Sequence, residues 1–170
     1  MSDHVIAEAK YLRLITRNGW EIVQRCNVSG VVVIAAKTKD DNMILIKQYR
    51  EAVQTSVIEL PAGVAGDQGN ESLEEAARRE LLEETGYQAE HMRLLFTGVT
   101  SPGLCDELLS FFVTDSAVRV GPGGGDITEN ILVYAVPIDQ VEKCLNEQMR
   151  AGCLIDPKIF IGLYFLRKKQ

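Results

Sequence analysis

Residues 71–87 read ESLEEAARRELLEETGY, and this stretch decides the fold. Strong helix formers fill it, Asn70 or Ser72 offers an N-cap, acids occupy the first turn, and Gly86 stops it. A helix is therefore predicted over 71–85. At about 100° per residue, Leu73, Ala76, Ala77 and Leu81 fall on one stripe roughly 140° wide that faces a core. Glu80 and Glu84 project into the middle of that stripe, one turn apart. Glu83 borders it, whereas Glu74, Glu75 and Arg78 point to water.

Two acids on an inward face need a counter-charge. Burying an ionised carboxylate alone costs several kcal/mol, and two side by side repel, so one protonates unless a cation is present. The plainer alternative is a solvated helix held by Glu/Arg pairs, but such pairs form on the outer face and leave Glu80 and Glu84 out. Carboxylate oxygens with no histidine or thiolate nearby select Mg²⁺, Mn²⁺ or Ca²⁺. Of these, Mg²⁺ characteristically combines one or two carboxylates with substrate phosphate oxygens.

Outward from the helix, strand signals dominate. YLRLITRNGWEIVQR (11–25) sets Asn18-Gly19 between two alternating runs, the mark of an antiparallel β-hairpin. VVVIAA (31–36) and MILIKQY (43–49), joined by KTKDDN, read as adjacent buried strands, followed by a short run before Pro61-Ala62-Gly63. Further strands are expected at 93–99, 108–113 and 131–136, and closing helices at 138–150 and 157–167. A flexible segment, GPGGGD (121–126), precedes the last strand. These elements predict an α/β fold with an N-terminal β-hairpin.

Composition narrows the function. A length of 170 residues and 46% hydrophobic content suit one packed domain, and no repeat or composition shift marks a second. A net charge of −6 argues against a nucleic-acid partner. No apolar run approaches the roughly 18 residues of a membrane span, and MSDHVIAEAK lacks the pattern of a secretory signal, so no membrane is expected as a partner. Cys26, Cys105, Cys144 and Cys153 form no CxxC pair, which predicts reduced thiols and a cytoplasmic location.

Glu71 and, after seven residues, Arg79-Glu80-Leu81-Leu82-Glu83-Glu84-Thr85-Gly86-Tyr87 resemble the Nudix box, in which a glycine, a glutamate and this acidic run stand at fixed spacing. One departure is visible. The family places five residues between its first glycine and the first glutamate, whereas seven separate Gly63 from Glu71; the extra pair falls in VAGDQGN, and Gly66 is the alternative anchor. Glu59-Leu60-Pro61-Ala62-Gly63 resembles the segment before the box in ADP-ribose pyrophosphatases. Gln48-Tyr49-Arg50, Ser101-Pro102-Gly103 with Asp106-Glu107, and Glu129-Asn130-Ile131 look like the same branch, and Pro102 stands where that branch carries its marker proline.

The resemblance implies an α/β/α sandwich with a mixed sheet. Residues 1–28 would form the N-terminal hairpin and dimerisation segment, and 29–170 the Nudix hydrolase domain. The implied reaction is Mg²⁺-dependent, or Mn²⁺-dependent, hydrolysis of the pyrophosphate bond of ADP-ribose or a related nucleoside diphosphate sugar, giving a nucleoside monophosphate and a sugar phosphate. Another nucleotide substrate, or a ligand-binding module without turnover, are the competing readings. The implied metal ligands are the Ala62 carbonyl, Glu80 and Glu84, with Glu83 as a further ligand or orienter and Arg79 orienting one of the acids. Glu129 matches the position of the general base in a mobile loop, with Asp126 second, and the glycine segment would hinge a lid; either acid is otherwise a solvated loop residue.

Substrate contacts are implied for Arg50, Glu59, Ser101, Pro102, Gly103, Glu107 and Trp20. Arg50 is either a solvated edge residue or a bidentate phosphate contact. Ser101-Pro102-Gly103 taken alone is a turn. Trp20 is either packed or stacked on a nucleobase. A homodimer is implied as well, because relatives exchange their N-terminal strands and an isolated two-stranded ribbon is marginal alone.

Overall fold

A computed structural model describes residues 3–66, 69–125 and 129–168. The chain opens with β1 (His4–Glu8), β2 (Leu12–Arg17) and β3 (Trp20–Arg25), which pair antiparallel in that order as a separate sheet. The expected hairpin is β2–β3: Asn18 and Gly19 take φ of 53° and 82°, and Arg17 faces Trp20 across a two-residue turn. β1 goes beyond expectation and makes the unit three-stranded. All five of its residues are exposed, so no apolar alternation marks it. Its place comes from backbone pairing with β2, reinforced by two hydrogen bonds from Arg17 to Asp3 at 2.7 and 2.8 Å.

The main body is a nine-stranded mixed sheet. Its strands are β4 (Gly30–Thr38), β5 (Asn42–Arg50), β6 (Thr55–Glu59), β7 (Ala62–Ala65), β8 (Tyr87–Gln88), β9 (Arg93–Val99), β10 (Leu108–Arg119), β11 (Leu132–Pro137) and β12 (Leu154–Ile155). The helices are α1 (Leu73–Thr85), α2 (Val141–Arg150) and α3 (Lys158–Arg167). β4 runs parallel to β10 and antiparallel to β7, while β5 pairs antiparallel with both β6 and β11.

Strand period explains the layers. Val33 and Ala35 of β4 enter one core with Ile159 and Leu163 of α3 and Leu145 of α2, whereas Val32, Ile34 and Ala36 enter a second core with Ala76, Ala77 and Leu81 of α1. Both faces of β4 are covered, which is why VVVIAA carries no polar alternation. Each fully buried aliphatic side chain here contributes about 1.5–3 kcal/mol. α2 starts three residues later than expected because residues 138–140 form a turn after Pro137.

The N-terminal sheet is tied to the loop after β9. The Val23 amide donates to the Leu104 carbonyl at 2.9 Å, Gln24 hydrogen-bonds Asp106, and Arg25 pairs with Glu107. Arg25 is thereby delivered to the rim of a cleft in the main body.

Candidate functional site

The phase of α1 is fixed at both ends. Ser72 accepts from the Glu75 amide at 3.2 Å while the Glu75 carboxylate accepts from the Ser72 amide at 2.8 Å, a capping box. At the other end Gly86 sits in the left-handed region and its amide closes on the Leu82 carbonyl at 2.8 Å. Between them Ala76, Ala77 and Leu81 are fully buried and Glu84 is nearly so, while Glu80 is 12% exposed and Glu83 47% at the side chain. The inward stripe thus carries Glu80 and Glu84, with Glu83 at its border. Arg78, expected in water, is half-buried and hydrogen-bonds the Ala89 carbonyl besides pairing with Glu74.

Glu80 is not left out of ion pairs, contrary to the expectation from helical phase. Arg79 donates to Glu80 at 2.8 Å, to Glu83 at 3.0 Å, to Glu71 at 2.9 and 3.2 Å, and to the Val64 carbonyl at 3.0 Å. Sequence spacing suggested that Arg79 orients one acid; the guanidinium fork engages three. The bond from Arg79 holds the Glu71 carboxyl below its usual range. These contacts of the Arg79 guanidinium all go to the protein.

Glu84 lies across from β7. Its carboxylate accepts from the Ala62 amide at 2.9 Å, and burial, with Glu80 and Glu129 nearby, pushes its pKa up to about 8 against the opposing Ala62 bond. Gly63 is where β7 passes the helix: a Cβ there would stand 2.0 Å from the Glu80 carboxyl carbon. Gly63→Ala therefore forces Glu80 aside. We expect turnover to fall at least about ten-fold with a stability loss of about 1–3 kcal/mol, read by steady-state rates and thermal melting. Unchanged rates would mean that Glu80 need not stand where it does.

The glycine segment, expected as a loose hinge, is docked over its described part, 121–125. The amides of Gly124 and Gly125 donate to the carbonyls of Glu84 at 2.8 Å and Glu83 at 3.1 Å, and those of Val120 and Gly121 donate to Gly86. These bonds satisfy carbonyls that the end of α1 leaves open. A Cβ at Gly123 would meet the Thr85 carbonyl carbon at 2.3 Å, so only glycine permits this approach. The segment also brings Glu129 against Gly125, within electrostatic reach of Glu84. Asp126 lies outside the described residues.

A cleft of about 720 Å³ gathers these groups. Ala62, Arg79, Glu80, Glu83, Glu84, Glu129, Arg50, Glu59 and Glu107 all line it. Arg50 donates to Glu59 at 2.8 Å, yet burial outweighs that pairing and raises the Glu59 pKa. Ser101, Pro102, Gly103 and Trp20 are not on the lining: the first three form an exposed turn held by Leu104 and Cys105 amides bonding to the Ser101 carbonyl, and Trp20 is 68% exposed on the N-terminal sheet. Sequence reasoning missed Arg25, Thr100, Asp156 and Lys158, which do line it. Asp156 and Lys158 pair with each other at the start of α3, and no local pattern marks them.

Among the described residues, no three His, Cys, Asp or Glu side chains already stand together as a ready metal cage. The donor chemistry nevertheless fits a hard divalent cation. Glu80, Glu83, Glu84 and the Ala62 carbonyl offer only oxygen, and the Glu84 carboxyl, whose pKa is pushed up to about 8 chiefly by burial, is relieved by a cation.

A sequence model of the NUDIX domain matches residues 26–152, a span that includes α1 and most of the mixed sheet; the chain belongs to the Nudix family. It is similar to the GDP-mannose pyrophosphatase of Escherichia coli (strain K12), with 32% identity over 158 residues, 90% of this chain and 80% of that protein. It is also similar to the methanol dehydrogenase activator of Bacillus methanolicus, with 29% identity over 142 residues, 83% of this chain and 74% of that protein. Among solved structures, an ADP compounds hydrolase shares the fold with a TM-score of 0.72 at 20% identity, over 98% of this chain and 90% of its own.

Proposed function

We propose that this protein hydrolyses the pyrophosphate bond of a nucleoside diphosphate sugar, of the ADP-ribose or GDP-mannose kind, to a nucleoside monophosphate and a sugar phosphate. One observation carries the reading: Glu84, buried against Ala62 with Glu80 and Glu129 close by, forms an all-oxygen acidic centre inside a cleft that also holds Arg50 and Lys158. The GDP-mannose pyrophosphatase relative and the ADP compounds hydrolase fold support the substrate class.

Glu80, Glu84 and the Ala62 carbonyl would hold Mg²⁺, or Mn²⁺ in its place, with Glu83 as a further ligand or orienter. A bound divalent cation neutralises phosphate charge and makes water more acidic. Arg79 keeps Glu80 and Glu83 aimed while its own charge offsets theirs. Glu129 takes the proton of the attacking water, and Arg50 turns from Glu59 to a phosphate oxygen. Glu107, tied to Arg25, lines the far wall for the rest of the substrate. Ser101, Pro102 and Gly103 approach the substrate only if their turn moves. Residues 1–28 act as a dimerisation segment, with Trp20 reaching the site of a second copy, and residues 29–170 form the hydrolase domain. The four free cysteines suit a reducing cytoplasm.

The test is a panel of ADP-ribose, GDP-mannose, UDP-glucose, NADH and dinucleoside polyphosphates, assayed with and without Mg²⁺ and read by the phosphates released. Turnover of the nucleotide sugars only with metal is the expected result; no turnover of any compound sinks the proposal in favour of a binding module. Glu129→Gln should lower kcat about 10²–10⁴-fold with little change in KM. A near-normal rate would remove Glu129 from the role of base.

A further inference from the structure

Two pairs of opposite charge line the acidic cleft: Arg50 with Glu59, and Lys158 with Asp156. The first pair is built by β5 and β6. Ile46 and Arg50, four residues apart on β5, share a face, and Glu59 stands directly opposite Ile46, so the long Arg50 side chain runs back along its strand to reach Glu59. The second pair arrives from the far edge of β6. β12 runs parallel to β6 with Ile155 beside Ile58, and the Asp156 amide donates to the Ile58 carbonyl at 2.9 Å, which brings Asp156 alongside Ile58 and Glu59. Asp156 then leads into α3: its carboxylate accepts from the Lys158 amide at 2.8 Å and pairs with the Lys158 ammonium.

The partners of the first pair are unequally free to move. The Arg50 side chain is 41% exposed and makes no other hydrogen bond or ion pair among the described residues. The Glu59 side chain is 13% exposed, and Arg50 is its one bonded partner there. Burial raises the Glu59 pKa in spite of Arg50; Asp156 adds to the rise and Lys158 opposes it. Glu59 is thus short of counter-charge even with Arg50 in place, and Lys158 already lies within electrostatic reach of it.

We propose that Lys158 is a positioning residue that takes over Glu59 when Arg50 swings to a substrate phosphate. The inference rests on the proposed function, in which Arg50 is the phosphate contact. A guanidinium that leaves a buried carboxylate strands an uncompensated charge, which costs far more than the loss of an exposed ion pair. An ammonium can meet that cost, because three donors on a flexible stem suffice to keep Asp156 and reach Glu59 together. Asp156 tolerates the sharing, since the Lys158 amide holds one of its oxygens wherever the Lys158 side chain points. No bond is broken and no proton moves; two ion pairs exchange partners, and Arg50 is released. In the competing arrangement Arg50 keeps its Nε on Glu59 and offers only its two Nη groups to the phosphate, and Lys158 has no part.

A double-mutant cycle between Lys158 and Glu59 tests the exchange. The probes are the methylene-bridged analogues of ADP-ribose and GDP-mannose, titrated into the full chain with Mg²⁺ and followed by calorimetry, so that affinity is read without turnover. For the tighter-binding analogue, Lys158→Met should raise Kd about ten-fold or more. In a Glu59→Gln background, which removes the charge to be covered, the same substitution should change Kd less than about two-fold. Lys158→Arg, which keeps the charge, should hold Kd close to that of the unsubstituted chain. With a hydrolysed nucleotide sugar, Lys158→Met should raise KM and leave kcat nearly unchanged, a split that a merely structural defect does not produce. If Lys158→Met melts early because Asp156 is stranded, Asp156→Asn combined with Lys158→Met removes both charges and carries the same pair of expectations. An equal loss in both backgrounds makes Lys158 a direct substrate contact, and no loss in either keeps Arg50 on Glu59 throughout; each result overturns the proposal. A chain that binds an analogue but hydrolyses nothing in the nucleotide-sugar panel sinks the hydrolase reading and leaves the exchange to be decided by the cycle alone. Binding of neither analogue overturns both.

Discussion

Glu84→Gln is expected to reduce kcat by more than about a hundred-fold while leaving the fold intact and, without metal at pH 8, slightly firmer. A loss of that size is expected because removing a group that merely supports a metal ligand costs about 10–100-fold, and the proposed function makes Glu84 a ligand itself. Stability moves the other way for a local reason. Glu84 is 3% exposed, accepts one hydrogen bond from the Ala62 amide, and has Glu80 and Glu129 as acidic neighbours. A glutamine oxygen can accept the same bond with no charge to bury. Rates measured on the nucleotide sugar that turns over best, together with melting temperatures of both proteins, check the two halves. A variant that keeps its rate means the inward acids of α1 are structural; one that loses both rate and fold means that the substitution did not isolate the charge.

Local periodicity made part of this site legible and long-range contact hid the rest. The inward phase of Glu80 and Glu84 follows from a repeat of 3.6 residues in one segment, and the β2–β3 hairpin from Asn18-Gly19 alone. The three-way hold of Arg79 also rests on α1, but its bonds to Glu71 and the Val64 carbonyl depend on how the preceding loop returns, which no period encodes. Residues 121–125 look flexible by composition. Gly123 is instead required by close approach to Thr85 and Gly86, a constraint imposed by the partner backbone. β10 runs to Arg119 rather than 113 because its later half, polar and bulged, is held by pairing with β8, not by apolar alternation. Arg25, Asp156 and Lys158 reach the cleft from elements far apart in the chain, and single-sequence patterns carry no signal for such meetings.

Thermal stability of the metal-free protein should fall as pH rises from 5 to 8, and added Mg²⁺ should restore it increasingly over the same window. The sign follows from Glu84. Its carboxyl pKa is pushed from 4.5 to about 8 on folding, chiefly by burial, so the folded chain holds the proton more tightly than the unfolded chain. The corresponding stabilisation is fully present below pH 4.5 and is lost as pH climbs through about 8. Glu59, also raised by burial, acts in the same direction. The lowered carboxyls of Asp3, Glu71 and Glu75 act oppositely, but most of their contribution is already in place at the bottom of this window. A shift of this size corresponds to a few kcal/mol, or roughly 10 °C in a domain of this length. A divalent cation replaces the proton on Glu84, so its stabilising effect grows as proton competition fades. Scanning calorimetry at pH 5, 6, 7 and 8, with EDTA or Mg²⁺, reads both trends. In Glu84→Gln the slope should flatten and the Mg²⁺ response shrink together; a slope that survives the substitution would place the titrating group elsewhere and separate the buried acid from the metal.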